Sequence, residues 1–312
     1  MTKVATRDAY GKALSKLGAE NPNIVVLDAD LSKSTKTADF AALYPERFIN
    51  VGIAEANLMG TAAGLAAAGK IPFASTFAMF AIGRAFEQIR NSIAYTKLNV
   101  KIAATHAGLT VGEDGASHQS VEDIALMRSV PNMTVLVPAD GPETEACIRA
   151  AVQYQGPVYI RLGRPNVPVL NPEGYQITIG KAVTLREGTD VTLMATGIMV
   201  SMALEAAEKL AAEGISARVL NFHTIKPIDA EAITAAAKET GAIITAEEHT
   251  ILGGLGSGVA EVAVATHPVP IEMVGIKDTF GESGTPDQLL EKYGLTAEAI
   301  YQAAKKAVSR KK

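Results

Sequence analysis

Short apolar runs alternate along the chain with longer stretches whose apolar positions recur three or four apart, the signatures of buried strands and amphipathic helices. Residues 4–20 carry Tyr10, Leu14 and Leu17 at helical spacing and meet a stop at Asn21-Pro22, which predicts a helix. A strand at 24–27, a polar loop at 28–36, a short helix at 37–44 and a strand at 48–53 follow. The Ala/Gly-rich segment 55–68 predicts a helix ending at Gly69, where glycine accepts the left-handed conformation of a helix terminus. Further strands at 71–77, 100–105, 133–137 and 158–162 alternate with helices at 81–95, 121–128 and 143–153. Phe86, Ile89 and Ile93 lie on one face of the 81–95 helix.

The pattern lapses at 164–174, which holds Pro165, Pro168 and Pro172 and reads as a linker. It then resumes with strands at 190–196, 217–221, 242–247 and 271–275. Between and beyond them lie helices at 201–212, 230–239, after the Gly253–Gly258 turn, and at 296–309. Strand–helix alternation of this kind belongs to α/β folds with mostly parallel sheets. The expectation is two α/β domains, 1–165 and 178–312, each a mostly parallel sheet flanked by helices, joined by a linker at 166–177.

Composition narrows the function class. A chain of 312 residues with 48% hydrophobic and 20% charged residues is ordinary for a water-soluble protein. A net charge of -4 gives no support to nucleic acid or an anionic membrane as a partner. The most apolar stretch, 58–83, is broken by Lys70 and Pro72 and divides into helix, strand and helix, so no membrane span is expected. No secretory leader is apparent at the start. Cys147 is the single cysteine and cannot form an internal disulfide, which suits a reducing cytoplasm.

Loops after strands carry function in doubly wound sheets. Here they contain Asp28, Asp30, Ser32, Ser34, Glu55, His106, Glu113, Asp114, His118, Gln119, Asp140, Arg161 and Arg164. Taken alone, Glu55 is explained by the positive end of the helix it begins. His106 and His118, flanking a Gly-Glu-Asp-Gly turn among acids and arginines, give that loop region the character of a polar-substrate site. No clustered His/Cys spacing marks a metal centre, and no nucleophile elbow or Walker loop occurs. Gly253-Gly254-Leu255-Gly256-Ser257-Gly258 lacks the full register of a dinucleotide fingerprint and reads as a tight strand-to-helix turn.

Several segments become specific through their order and spacing. They are Gly52-Ile53-Ala54-Glu55, Ser75-Thr76-Phe77-Ala78-Met79-Phe80, Thr105-His106, Gly112-Glu113-Asp114-Gly115-Ala116-Ser117-His118-Gln119, Arg128-Ser129-Val130-Pro131-Asn132 and Pro138-Ala139-Asp140. Together they resemble the carboxyl-terminal half of a transketolase over essentially the whole chain. The resemblance implies a pyrimidine-binding domain followed by the family's carboxyl-terminal domain, and thiamine diphosphate as cofactor. Glu55 then matches the glutamate that hydrogen-bonds the aminopyrimidine and activates it. Phe80, with Phe77, matches the aromatic wall beside that ring, and Asp30 an aspartate near the cofactor across the subunit interface. His106 and His118 match histidines that contact sugar hydroxyls and assist proton transfer. Asp114 matches the aspartate that reads a ketose hydroxyl, and Arg7, Ser34 and Arg164 match the group that holds the sugar phosphate.

Two departures qualify the match. Nothing is carried onto Gly83 and Arg84, and Lys33, unusual in the Asp30 loop, would alter phosphate contacts. More consequentially, no Gly-Asp-Gly occurs, although the family uses that motif to hold the diphosphate and its divalent metal. The resemblance therefore implies one subunit of a split transketolase, without a metal ligand of its own. A separate amino-terminal subunit would supply the diphosphate site and Mg²⁺, and a second copy of this chain would complete the assembly. Deoxyxylulose-phosphate synthase and the beta subunit of a 2-oxo acid dehydrogenase are similar thiamine enzymes, and a non-catalytic scaffold subunit is the alternative of another kind. The Gly112–Gly115 turn with His118, followed by Val121-Glu122-Asp123, fits transketolase best.

Overall fold

The structure, a computed structural model, describes residues 2–311. The amino-terminal part runs β1 (Lys3–Ala5), α1 (Thr6–Glu20), β2 (Ile24–Asp28), α2 (Ser32–Thr35), α3 (Ala38–Leu43) and β3 (Phe48–Asn50). It continues through α4 (Glu55–Ala67), β4 (Ile71–Phe77), β5 (Lys101–Thr105), α5 (Asp123–Ser129), β6 (Thr134–Leu136), α6 (Gly141–Gln153), β7 (Val158–Arg161) and β8 (Asn166–Pro168). The carboxyl-terminal part begins with β9 (Val183–Arg186), β10 (Val191–Ala195), α7 (Met199–Ala212), β11 (Ala217–Asn221), β12 (Thr224–Lys226) and α8 (Ala230–Thr240). It closes with β13 (Ile243–Thr250), α9 (Leu255–Thr266), β14 (Ile271–Ile276), α10 (Pro286–Lys292) and α11 (Ala297–Ser309).

Two sheets organise these elements. The first has seven strands in the order β12-β6-β7-β5-β4-β2-β3, and the second five in the order β14-β13-β10-β11-β9. Within the first, β2 to β7 are parallel; only β12 is antiparallel, against β6. In the second, β9 alone runs against its neighbour. The chain is therefore a two-domain α/β protein with mostly parallel sheets.

Central strands are buried on both faces, which is why they read as unbroken apolar runs. Tyr10, Leu14 and Leu17 of α1 pack with Cys147, Ile148 and Ala151 of α6 on one side of the first sheet. Leu58, Met59 and Ala62 of α4 cover the other side, with Ile89 and Ile93. That second cluster continues without a break into Phe222, Ile225, Ile233 and Val259, so one core spans both parts of the chain.

Where expectation and structure differ, the cause is local. The helix expected over 81–95 is two π-helical segments, Phe80–Arg84 and Gln88–Ala94, with the intervening Ala85 off helical geometry. Tyr95 N–H donating to Arg90 O and Leu98 to Ile93 O show the widened turn. A side chain at Gly83 would come within 2.7 Å of the Met79 methyl, which the flexible methionine can relieve by moving aside. The strand expected over 48–53 stops at Asn50, whose carboxamide oxygen accepts from the backbone of both Asp30 and Gly52. Within the proline-rich stretch, Asn166–Pro168 forms β8 and pairs antiparallel with β1, Val4 lying opposite Val167. Pro168 is tolerated because a two-stranded ribbon leaves its nitrogen side free. Strands β9 and β12 and helix α10 were not expected. Among the described residues no helix is long and apolar enough to cross a membrane.

Candidate active site

Polar and aromatic side chains converge at the carboxyl ends of β2, β3, β4, β5 and β7. Gly52, at φ +74°, turns the chain out of β3 and lets Glu55 begin α4. Glu55 is only 5% exposed, and its Oε1 accepts from Arg84 Nη1 at 2.9 Å. Arg84, the last residue of the first π-helical segment, lays its guanidinium 4.3 Å from the centre of the Phe80 ring. Phe80 and Phe77 stack at 5.7 Å and 16° between planes, and Phe77 stacks on His106 at 3.8 Å and 22°. His118 points its edge at both phenylalanines, 5.2 Å from Phe80 and 6.4 Å from Phe77. One aromatic wall thus runs from beside Glu55 to His106.

His106 terminates β5 with φ at +56°, a conformation uncommon for a residue with a side chain. Its Nε2 lies 3.1 Å from Arg7 Nη1, and its Nδ1 lies 2.9 Å from Thr105 Oγ1. A guanidinium can only donate, so Nε2 is the acceptor and Nδ1 carries the proton. Burial, then the charges of Arg7 and Arg164 and the nearby His118, lower its pKa to about 3, so the ring is neutral at physiological pH. Arg7 also donates to the carbonyl oxygen of Ser34 at 3.2 Å. Arg164 donates to Val111 O and sits 3.6 Å from Glu113 and 3.7 Å from Asp114. His118 Nδ1 is 2.9 Å from Ser117 Oγ.

The loop carrying Ser34 is ordered from beneath by Asp28. Its carboxylate accepts from Leu31 N–H and the Thr35 hydroxyl, both at 2.6 Å, and from the Thr37 hydroxyl at 2.9 Å. Burial raises the Asp28 pKa, and these bonds oppose the rise. Of the residues singled out from the sequence, Glu55, Phe77, Phe80, His106, His118, Arg7, Ser34, Arg164 and Asp114 form two linked groups. Arg7, beneath His106, joins the aromatic wall to the polar group. Asp30 stands apart from both: in a left-handed conformation, it exchanges hydrogen bonds with Asn50. Lys33 is exposed on α2.

The sequence names Arg84, Thr105 and Gln119 without giving any of them a role, and it does not single out Glu248. Arg84 lies four residues after Phe80, the spacing of neighbours on a helix face, and that signal could have found it. Nothing in the pattern around Glu248 distinguishes it. Among the described residues no group of three or more His, Cys, Asp or Glu side chains could hold a metal ion. A buried carboxylate beside stacked rings fits a flat nitrogen heterocycle. The neutral His106 with Arg7, Arg164 and Asp114 fits hydroxyl groups and an anion.

The family model for the transketolase pyrimidine binding domain matches residues 2–169, and that for the transketolase C-terminal domain matches residues 180–300. The chain belongs to the transketolase family. A chain named as a transketolase C-terminal section in Methanocaldococcus jannaschii is 53% identical over 298 residues, covering 94% of this chain and 93% of that one. A 6-deoxy-6-sulfo-D-fructose transketolase subunit from Clostridium sp. strain MSTE9 is 47% identical over 305 residues, covering 98% and 95%. Among solved structures, a split gene transketolase described as an inactive beta4 tetramer superposes with a TM-score of 0.94 at 60% identity, covering 99% of this chain and all of that one. The transketolase relationship thus extends over the whole chain, including both sheets, and reaches subunits that are about as long as this one.

Proposed function

We propose that this chain is the carboxyl-terminal subunit of a split, thiamine-diphosphate-dependent transketolase that moves a two-carbon ketol unit between sugar phosphates. The observation that carries the reading is the buried Glu55 carboxylate at the start of α4, set beside the Phe77–Phe80 stack. Glu55 would bind a ring nitrogen of the aminopyrimidine and share its proton, while Phe77 and Phe80 hold the ring plane. The bound cofactor supplies the electron sink for carbon–carbon bond cleavage. His106 Nε2, which accepts from Arg7 here, would turn to accept from a sugar hydroxyl as Arg7 moves to the sugar phosphate, and His118 would flank the same space for proton transfer. Asp114 would accept from a ketose hydroxyl, with Arg7, the Ser34 loop and Arg164 around the phosphate. Asp30 would approach the cofactor from across a subunit boundary.

The pyrimidine-binding domain would be 1–165 and the carboxyl-terminal domain 178–312. The diphosphate and Mg²⁺ would be held by a separate amino-terminal subunit, with two copies of each chain in the assembly. A 60% identical chain forms an inactive beta4 tetramer, which supports a requirement for such a subunit. The relative that acts on 6-deoxy-6-sulfo-D-fructose leaves the identity of the sugar open within this class.

The test is to combine the chain with a candidate amino-terminal subunit, thiamine diphosphate and Mg²⁺, and to measure transfer from xylulose 5-phosphate to ribose 5-phosphate. Turnover is expected only in the complex, and Glu55→Ala is expected to lower kcat by about 10²–10⁴-fold. Transfer by the chain without a second polypeptide would refute the split assembly. Turnover of pyruvate instead would favour a synthase or dehydrogenase, and unchanged turnover in Glu55→Ala a scaffold.

A further inference from the structure

The loop that carries Glu113, Asp114 and His118 is held from outside its own sheet. Glu248, on β13 of the second sheet, accepts from Thr110 N–H through Oε1 at 2.7 Å. The residue is buried, and its carboxylate fills the space beside Gly108, where an added Cβ would collide with it. Gly108 has φ +84°, so two constraints require glycine at that point. Arg161 links this contact to the first sheet. Its Nη2 donates to Glu248 O at 2.8 Å, its Nε to Asp123 at 2.8 Å, and its Nη1 lies 3.8 Å from the Glu248 carboxylate. Further along the loop, Gln119 Nε2 reaches Leu109 O, Gly112 O and, in the carboxyl-terminal part, Glu282 O at 2.9 Å.

The Thr110 amide lies in the short turn between His106 and Asp114. A shift of its acceptor moves the chain entering the substrate loop and the chain leaving β5 together. We propose that Glu248 is a positioning residue: by fixing the turn at Gly108–Val111, it sets the distance between His106 and Asp114, so the carboxyl-terminal domain governs sugar recognition without touching sugar. The proposal rests on the reading of His106 and Asp114 as substrate contacts. It gives the second domain a part in the reaction beyond completing the fold.

Glu248→Met and Glu248→Gln separate the acceptor from the volume it occupies. In the isolated chain, hydrogen exchange should show the Thr110 amide exchanging at least about tenfold faster in Glu248→Met, with β5 and β7 still protected and Glu248→Gln close to the parent. In the complex with the amino-terminal subunit, Glu248→Met should raise KM for the ketose phosphate, lowering kcat/KM by about 10–100-fold with a smaller change in kcat. Glu248→Gln should recover most of the loss. If Glu248→Met does not fold, Glu248→Ala, which removes the acceptor without leaving a bulky side chain in its place, should give the same exchange signature. Unchanged Thr110 exchange in a folded Glu248→Met protein overturns the proposal, as does even loss of protection across the chain with KM unaltered. Absence of transfer by the parent complex would instead count against the functional reading, and the exchange measurement would still decide the role of Glu248.

Discussion

Arg84 meets Glu55 through one carboxylate oxygen and covers a face of Phe80, the two kinds of contact a flat nitrogen-bearing ring would also take. The Arg84 side chain is 55% exposed and that of Glu55 only 5%, so water screens the guanidinium while the carboxylate depends on its partner. Removing it leaves the buried Glu55 carboxylate without its ion-pair partner and is therefore expected to lower the midpoint of urea unfolding. Calorimetry with thiamine on the isolated chain should show tighter binding to Arg84→Ala than to the parent, because the guanidinium no longer competes for Glu55. Weaker binding would mean that Arg84 supports the ring rather than displaces it. At this scale His106 and His118 stood out as polar residues of a loop region after a strand, whereas Glu55 and Asp114 gained a role only through the family resemblance. Arg84 was hidden by the assumption of a regular helix. Glu248 was hidden because a carboxylate within a strand pattern looks like part of a solvent face, and only its Thr110 and Arg161 contacts reveal otherwise.

Helix α6 shows how one side chain can tie an element to the segment after the domain. Asp140 caps the helix through Oδ1 to Glu143 N–H at 2.9 Å, while Oδ2 accepts from the amides of Leu170 and Asn171, both at 2.7 Å. Loss of a cap costs about 0.5–2 kcal/mol and each stranded buried amide about 1–3 kcal/mol. Asp140→Ala should therefore lose at least about 2 kcal/mol in equilibrium urea unfolding, and a loss below 0.5 kcal/mol would show that water replaces the carboxylate. The start of α6 could be anticipated from the Asp-Gly-Pro sequence, but the two loop amides could not, because they come from 30 residues away. Strand β4 was read to its ends because its residues are apolar or small throughout. The π-helical segments were not, since the same apolar face satisfies either turn width. Strands of three or four residues such as β12 and β9 are too short to establish a period.

Across the whole molecule, the division at the proline-rich stretch is incomplete. The carboxyl-terminal part returns β12 to the first sheet, where Thr224 lies opposite Leu136 and Lys226 opposite Val135. No reading of local pattern could expect a strand to cross back, because its pairing is decided by the packing of Phe222 and Ile225 into the larger cluster. Expressed alone, residues 1–165 would uncover the backbone of β6 along that border, together with the apolar side chains that Phe222 and Ile225 shield. An open strand edge over exposed hydrophobic surface is a template for pairing with other chains. Such a fragment is expected to sediment as heterogeneous aggregates in analytical ultracentrifugation, whereas the whole chain, with β12 in place, should sediment as a discrete species.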